Sequence, residues 1–485
     1  MFARRELLSL ALAAAASGSL ASAATRRKAK GMIKFDPTLE SLNRHTLPSW
    51  FDDAKFGIFI HWGLYSVPAF APFGPNPNPS APDMMRANPY AEWYENTLKF
   101  PGSETASYHR KTHGDAPYAD FRTPFEKGAA TFAAQEWANI FRESGARYVT
   151  LVTKHHDGYL LWPSKHKNPH RPDWQSKTDI VGRMAKATRA AGLRFGTYYS
   201  GGLDWTFNPT RVDNAKAMIA SMPRDDAYDR YCLDHYFDLI DRYQPDYLWN
   251  DIGYPTTASM LKLMAHFYNG NAQGLVNDRW LAAREFFSGT ADEQAARFKR
   301  LFTYFKQHRL APPDHYDVIT PEYSPDTKLL EKKWETTRGI GFSFGYNQRE
   351  TDAQLMSAQA IIHLLINCVA KGGNLLLNVG PRGDGTLCPM QIERLRAVGA
   401  WLRVNGEAIY ATKPWRIAEV ETKDGRQIRF TAKGNTVYAL ALDGRDAPLN
   451  LDGVEGLQGR AGVMLGREDQ FAQVWRFDAV GKLSA

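Results

Sequence analysis

Between about residue 34 and about residue 405, short runs of β-branched and aromatic residues alternate with longer stretches whose apolar residues return every three or four positions. The short runs, at 57–62, 148–155, 194–200, 247–251, 275–279, 318–323, 341–346 and 374–380, have the length and composition of buried strands. The longer stretches, such as 133–143, 179–191, 227–243, 293–308 and 353–370, have helical periodicity. Strands that alternate with helices make parallel sheets, because each return crossing lays a helix on a sheet face. Eight such strands predict an α/β fold of the (β/α)8 TIM-like barrel class. The proline-rich stretch 68–89 cannot hold regular structure, and its place after the first strand makes it a loop at the barrel mouth. Beyond Trp401 the pattern becomes period-two stretches at 427–431, 436–442, 449–451 and 473–477, separated by turns such as Lys423-Asp424-Gly425 and Lys433-Gly434-Asn435. A barrel over 24–405 and a small antiparallel β domain over 406–485 follow from this change.

The first residues read as export. Arg4-Arg5 precede an apolar run at 7–16, and Ala21-Ser22-Ala23 offers the small residues a signal peptidase accepts, so 1–23 is expected to be a signal peptide. The arginine pair resembles a twin-arginine signal and leaves that route and the general one open. The run is too short to span a bilayer, and nothing later is long enough. A periplasmic or secreted protein is the expectation, with no membrane insertion of the mature chain. Cys232, Cys368 and Cys388 stand at unrelated spacings and encode neither a disulfide framework nor a metal cluster. The net charge of +8 is diffuse, with no basic stripe of the kind nucleic-acid binding needs. The 13 Trp, 22 Tyr and 26 Phe leave rings over for stacking on sugar faces or for burial in a homo-oligomer.

Polar residues collect at the C-terminal ends of the expected strands: His61; Lys154-His155-His156; Tyr198-Tyr199-Ser200; Trp249-Asn250-Asp251; Asn277-Asp278-Arg279; Glu322; Asn378. In a barrel all these ends converge on one face, where active sites are built. Any one of them is unremarkable at a strand end, but the set, flanked by tryptophans, outlines a walled pocket. Neighbouring residues of a strand point to opposite faces, so His155 and His156 are expected not to grip one metal ion and instead to bond sugar hydroxyls. No Gly-x-Ser-x-Gly elbow and no dinucleotide-binding glycine motif is present, which removes support for a serine hydrolase or a dehydrogenase. A pair of carboxylates on separate strands, Asp251 and Glu322, suits glycosidic cleavage. Arg279 and the histidines are expected to keep Asp251 ionised, and a less polar surrounding to keep Glu322 protonated.

These segments resemble the α-L-fucosidases of glycoside hydrolase family 29. The likeness runs from about residue 34 to about residue 415 in the family's order. It is carried by Phe56-Gly57-Ile58-Phe59-Ile60-His61-Trp62-Gly63, Glu92-Trp93-Tyr94, Lys154-His155-His156-Asp157-Gly158 and Gly196-Thr197-Tyr198-Tyr199-Ser200, then by Leu248-Trp249-Asn250-Asp251, Val276-Asn277-Asp278-Arg279-Trp280, Phe344-Gly345-Tyr346-Asn347 and Gly372-Gly373-Asn374. The resemblance implies a barrel followed by a C-terminal β-sandwich, an exo-acting retaining hydrolase of fucosylated glycans, and no cofactor or metal. By position it makes Asp251 the nucleophile and Glu322 the acid/base, with a fucose pocket of His61, Glu92, Trp93, His155, His156, Tyr198, Trp249, Arg279 and Phe344. The segment between Arg279 and Glu322 is longer than the family pattern, which keeps Glu92 as the reserve acid, with Asp317 and Glu335 behind it. Two other readings stay open: a hydrolase or transfucosidase for a related sugar such as an L-galactoside, and a non-catalytic fucose-binding protein on the same scaffold.

Overall fold

Seven strands form one parallel sheet: β1 (Phe56–Ile60), β2 (Tyr148–Lys154), β3 (Arg194–Ser200), β4 (Tyr247–Asp251), β5 (Leu275–Val276), β6 (Glu335–Gly339) and β7 (Asn374–Val379). Their order is β5-β4-β3-β2-β1-β7-β6. The computed structural model describes residues 34–73, 84–305, 313–324, 330, 332–445, 449–451, 453–466 and 471–478, and everything below belongs to the unit Asp36–Ala485. The expected signal peptide lies outside the described residues. Among them, no helix is long and apolar enough to cross a membrane.

The stretch from Val318 to Glu322 sits between the two edge strands. Parallel bridges join Asn277 to Val318, Ile319 to Trp334 and Glu322 to Thr337, which closes the ring and makes it a TIM-like barrel. This stretch is where the sixth strand was expected, and it pairs only by such bridges. Pro321 has no N–H to give, and the Thr320 N–H goes to the Asp278 side chain at 3.0 Å instead of to a strand ladder.

Strands β1, β2 and β7 are buried along their whole length, as parallel strands covered on both faces must be. The covering helices begin where a side chain accepts from their first free N–H groups. Asp225 caps Asp226–Tyr243, Thr256 caps Thr257–Gly270 and Ser357 caps Ala358–Ala370. The Ser357 cap explains why the helix expected over 353–370 starts five residues late. The seventh strand is also displaced, to Glu335–Gly339 instead of 341–346. Glu335-Thr336-Thr337-Arg338 hides a buried strand behind polar side chains, while the apolar 341–346 is a loop that turns back over Gly339.

Beyond the barrel, β8 (Lys413–Glu421), β9 (Gln427–Lys433), β10 (Thr436–Ala441), β11 (Val463–Met464) and β12 (Gln473–Phe477) form an antiparallel sheet in the order β11-β12-β10-β9-β8. The expected fold class is therefore the one observed. Residues 449–451 lie outside the strands, and β8, unforeseen, supplies Trp415, Ile417 and Val420 to the sheet's apolar cluster. The sheet is fastened to the barrel's last helices: Arg429 Nε donates to Asn367 at 2.6 Å, and Trp401 Nε1 donates to the Ala472 carbonyl at 3.1 Å.

Candidate active site

Asp251 ends β4, and its carboxylate accepts from the Tyr198 hydroxyl at 2.8 Å and from Arg279 Nη1 at 3.0 Å. The same Nη1 reaches Glu322 Oε1 at 2.5 Å. One nitrogen thus touches both carboxylates, and those two oxygens are separated by no more than the sum of the two contacts. Arg279 is itself fixed: Nε donates to Thr320 Oγ1 at 3.0 Å, Nη2 to the Thr320 carbonyl at 2.8 Å, and the guanidinium lies over the Trp249 ring at 4.5 Å.

The chain turns sharply after each carboxylate. Ile252 (φ 57°) and Tyr323 (φ 48°) both occupy the left-handed region, which costs a non-glycine residue about 1–3 kcal/mol. Their surroundings hold them there. Ile252 is buried in a cluster with Trp93 and Met222, and a Cβ on Gly202 would lie 2.1 Å from the Ile252 carbonyl oxygen, so Gly202 has to be glycine. Tyr323 gives its N–H to the Thr337 carbonyl and its hydroxyl to that of Phe342.

The remaining pocket residues expected from the sequence gather around this pair. His61, just past β1, is held by Asn378 Oδ1 at 2.6 Å, and Asn378 Nδ2 donates to the Phe344 carbonyl at 2.6 Å. The Phe344 ring stands 5.0 Å from His61. Glu92 and Trp93 come from a short turn, Ala91–Trp93, where Glu92 accepts from the Gly345 N–H at 2.7 Å. His155 stacks on Tyr198, Tyr198 on Trp249, and Trp93 meets His156 edge-on. The expectation that His155 and His156 point apart does not hold. β2 ends at Lys154, so both lie in the turn beyond it, and their rings are 4.0 Å apart. His156 Nδ1 pairs with Ser200 Oγ at 2.7 Å, while buried His155 Nδ1 has no hydrogen-bond partner among the described residues.

Burial also reverses one electrostatic expectation. It pushes His61 down to about 3 and holds His155 and His156 well below the usual histidine range, so all three are neutral and none supplies the charge that keeps Asp251 ionised. Burial raises the Asp251 carboxyl, Arg279 opposes it, and Glu322 adds to the rise. The apolar surrounding expected for Glu322 is not found either: its side chain is 29% exposed toward the mouth and rests on Arg279. The carboxyl in that apolar setting is Glu92, which burial pushes up to about 8. Asp317 and Glu335 are engaged elsewhere than with Asp251, Arg279 or Glu322, although Glu335 also interacts with the Trp249 side chain beneath the pocket. Asp317 accepts from the Val276 N–H at 2.8 Å and pairs with His45, and Glu335 accepts from the Tyr148 and Tyr247 hydroxyls within the barrel interior.

Several supporting roles escaped sequence reading. Asp278 takes the Thr320 N–H and hydroxyl and so seats the segment that carries Glu322. Asp204, four residues past β3, pairs with Lys154 at 2.9 Å, both side chains fully buried. The next residue, Trp205, gives its N–H to the His156 carbonyl and packs against Trp93. An acidic residue in a loop just beyond a strand end was the available signal. Asp204→Asn leaves the Lys154 charge buried and unmatched, and we expect it to lower unfolding free energy by about 3–5 kcal/mol in denaturant titration. A Lys154→Met/Asp204→Leu pair, having no orphaned charge, is expected to recover most of that loss; a double variant as unstable as the single would refute the ion-pair explanation.

The family model described as Alpha-L-fucosidase matches residues 21–407. An alpha-L-fucosidase of Dictyostelium discoideum is 34% identical over 84% of this chain and 81% of its own. Tissue alpha-L-fucosidase of Homo sapiens is 33% identical over 87% of this chain and 81% of its own. Among solved structures, Thermotoga maritima alpha-fucosidase in complex with fucose superposes with a TM-score of 0.75 at 39% identity, covering 91% of this chain and 100% of that one. A Thermotoga maritima alpha-L-fucosynthase does so with a TM-score of 0.77 at 38% identity, covering 92% and 100%. A TIM-like barrel, two carboxylates on one guanidinium and these likenesses agree: the chain belongs to the alpha-L-fucosidase family.

Proposed function

We propose that this chain is a retaining exo-α-L-fucosidase that removes terminal fucose from glycans by double displacement. The observation that carries the reading is the contact of Arg279 Nη1 with both Asp251 and Glu322 at 3.0 and 2.5 Å. It keeps the two contacting oxygens no farther apart than the about 5–5.5 Å at which one carboxylate attacks directly, with no room for an intervening water. An Asp251 oxygen bonds to the anomeric carbon from the face opposite the aglycone. As the glycosidic C–O bond breaks, Glu322 delivers its proton to the leaving oxygen. Glu322 then takes a proton from water, the water oxygen bonds to the same carbon, and Asp251 departs, which returns fucose in its original configuration.

Glu322 is favoured over Glu92 as the acid because it faces the mouth, through which the aglycone must leave. Glu92 is 3% exposed and held by Gly345, where a neutral carboxyl can give a hydrogen bond to a sugar hydroxyl. Burial and the adjacent Glu322 charge raise the Asp251 carboxyl, and the Arg279 guanidinium between the two carboxylates opposes that rise. Tyr198 and Arg279 hold Asp251 in line, and His61, His155, His156, Trp93, Trp249 and Phe344 supply neutral hydrogen bonds and apolar walls for the hydroxyls and methyl group of fucose. The arginine pair and apolar run before residue 23 support export of the enzyme to the periplasm or beyond.

The test is hydrolysis of 4-nitrophenyl α-L-fucoside with the first-formed sugar followed by proton NMR. We expect α-L-fucose to appear before mutarotation; β-L-fucose would overturn retention, and absence of turnover would favour a binding protein. Glu322→Ala is expected to slow a fucosyl disaccharide by about 10²–10⁴-fold and a 2,4-dinitrophenyl fucoside far less, since only the former needs its leaving oxygen protonated. Should Glu92→Gln show that selectivity instead, Glu92 is the acid.

A further inference from the structure

On the mouth side of Glu322 the chain places three aromatic rings and one cation. Tyr323 stacks on Tyr90 at 6.1 Å with an interplanar angle of 14°, and both stand edge-on to Phe344 at 5.4 and 5.5 Å. Phe344 is the pocket wall against His61, so Tyr90 and Tyr323 continue that wall outward; both are half-buried, and Phe342 beside them is 41% exposed. At the end of β6 the half-buried Arg338 guanidinium lies 5.2 Å from the centre of the Tyr323 ring. Its Nε donates to the Gly339 carbonyl at 3.1 Å. Among the described residues its two terminal nitrogens have no hydrogen-bond partner, and no carboxylate pairs with it. Burial lowers its pKa, with only the two tyrosines in opposition.

A guanidinium partly withdrawn from water, unmatched by an acid and set against a ring face is an arrangement that an incoming anion completes. Arg279, by contrast, is engaged by two carboxylates and Arg349 by Glu104. We propose that Tyr90, Tyr323 and Arg338 form a subsite on the leaving-group side of the pocket that favours an aglycone carrying an anionic group, either a carboxylate or a sulfate. This deepens the function proposed above, resting on Glu322 as the group that faces the leaving oxygen. Sugar C–H faces lie on the tyrosine rings while the planar guanidinium forks onto the anion, a match that fixes orientation as well as charge. The chain's formal net charge of +8 adds long-range attraction for such substrates.

The experiment uses nitrophenyl α-L-fucosides whose ring carries a carboxylate, a sulfonate or the neutral carboxamide, in meta and para series, cleaved by the full-length enzyme and by Arg338→Gln. In the unsubstituted enzyme at low ionic strength, kcat/KM for at least one anionic compound is expected to exceed that for its carboxamide by about tenfold, the worth of one charge-assisted hydrogen bond. That ratio is expected to fall toward one in Arg338→Gln and in 1 M salt. Preference for the carboxylate points to uronate-bearing glycans, and preference for the sulfonate to sulfated ones. Equal rates for all three compounds in the unsubstituted enzyme overturn the subsite. So does an anionic preference that survives in Arg338→Gln while all rates fall together, the signature of a merely structural arginine. Failure to cleave any fucoside would instead overturn the proposed function.

Discussion

Asp251→Gly is expected to lower turnover of 4-nitrophenyl α-L-fucoside by about 10⁴-fold or more, and added azide to restore much of it as β-L-fucosyl azide. Three features of the site set the size of the effect. The carboxylate is 8% exposed and hydrogen-bonded by both Tyr198 and Arg279, so no other group can take its place on that face of the sugar. Its removal leaves Glu322, the Arg279 fork and the pocket walls intact, because the Arg279 Nε and Nη2 contacts run to Thr320 and do not depend on Asp251. The glycine variant also opens a space where the two oxygens were, next to a guanidinium that attracts small anions. Azide entering there displaces the aglycone once, so the product is inverted, whereas the unsubstituted enzyme displaces twice. Azide rescue with retained configuration, or an Asp251→Gly enzyme of near-normal rate, would remove Asp251 from the nucleophile's role.

How much of the fold and site can be read from the sequence depends on what each residue does locally. The barrel is legible because strands such as β1 and β7 are buried on both faces and appear as mainly apolar runs between Gly and polar punctuation. Strand β6 is not, since its side chains pack into a polar interior where Glu335 takes two tyrosine hydroxyls, and the apolar loop after it mimics a strand. The convergence of His61, Tyr198, Asp251, Arg279 and Glu322 follows from barrel geometry, because every strand ends on the same face. Their charge states do not follow from it. Three histidines near a carboxylate look like cations in a sequence and are neutral in the fold, since desolvation outweighs what any neighbour returns. Asp204 and Thr320 act through partners 50 and 41 positions away, and Arg338 through a ring on a neighbouring segment, and no spacing rule connects them.

The load placed on Arg279 leads to the second large effect. Its fork makes four contacts, two to Thr320 and one to each carboxylate, so it both aims Glu322's segment and offsets the charge of Asp251. Burial and Glu322 already raise the Asp251 carboxyl, and the guanidinium is the largest influence in the other direction. Without it, Asp251 takes up a proton at higher pH, and a protonated carboxyl does not attack. Arg279→Gln is therefore expected to shift the acid limb of kcat/KM upward by about 1–3 pH units and to lower the plateau by about 10²–10³-fold. Arg279→Lys keeps the charge but cannot fork onto Thr320 and both carboxylates at once or lie flat on Trp249. Its limb is expected to stay near that of the unsubstituted enzyme while the plateau falls, which separates the electrostatic part of the role from the positional part. The measurement is kcat/KM for 4-nitrophenyl α-L-fucoside across pH for the three enzymes. An Arg279→Gln profile with its acid limb unmoved would mean that the Tyr198 hydroxyl, not the guanidinium, is what keeps the nucleophile ionised.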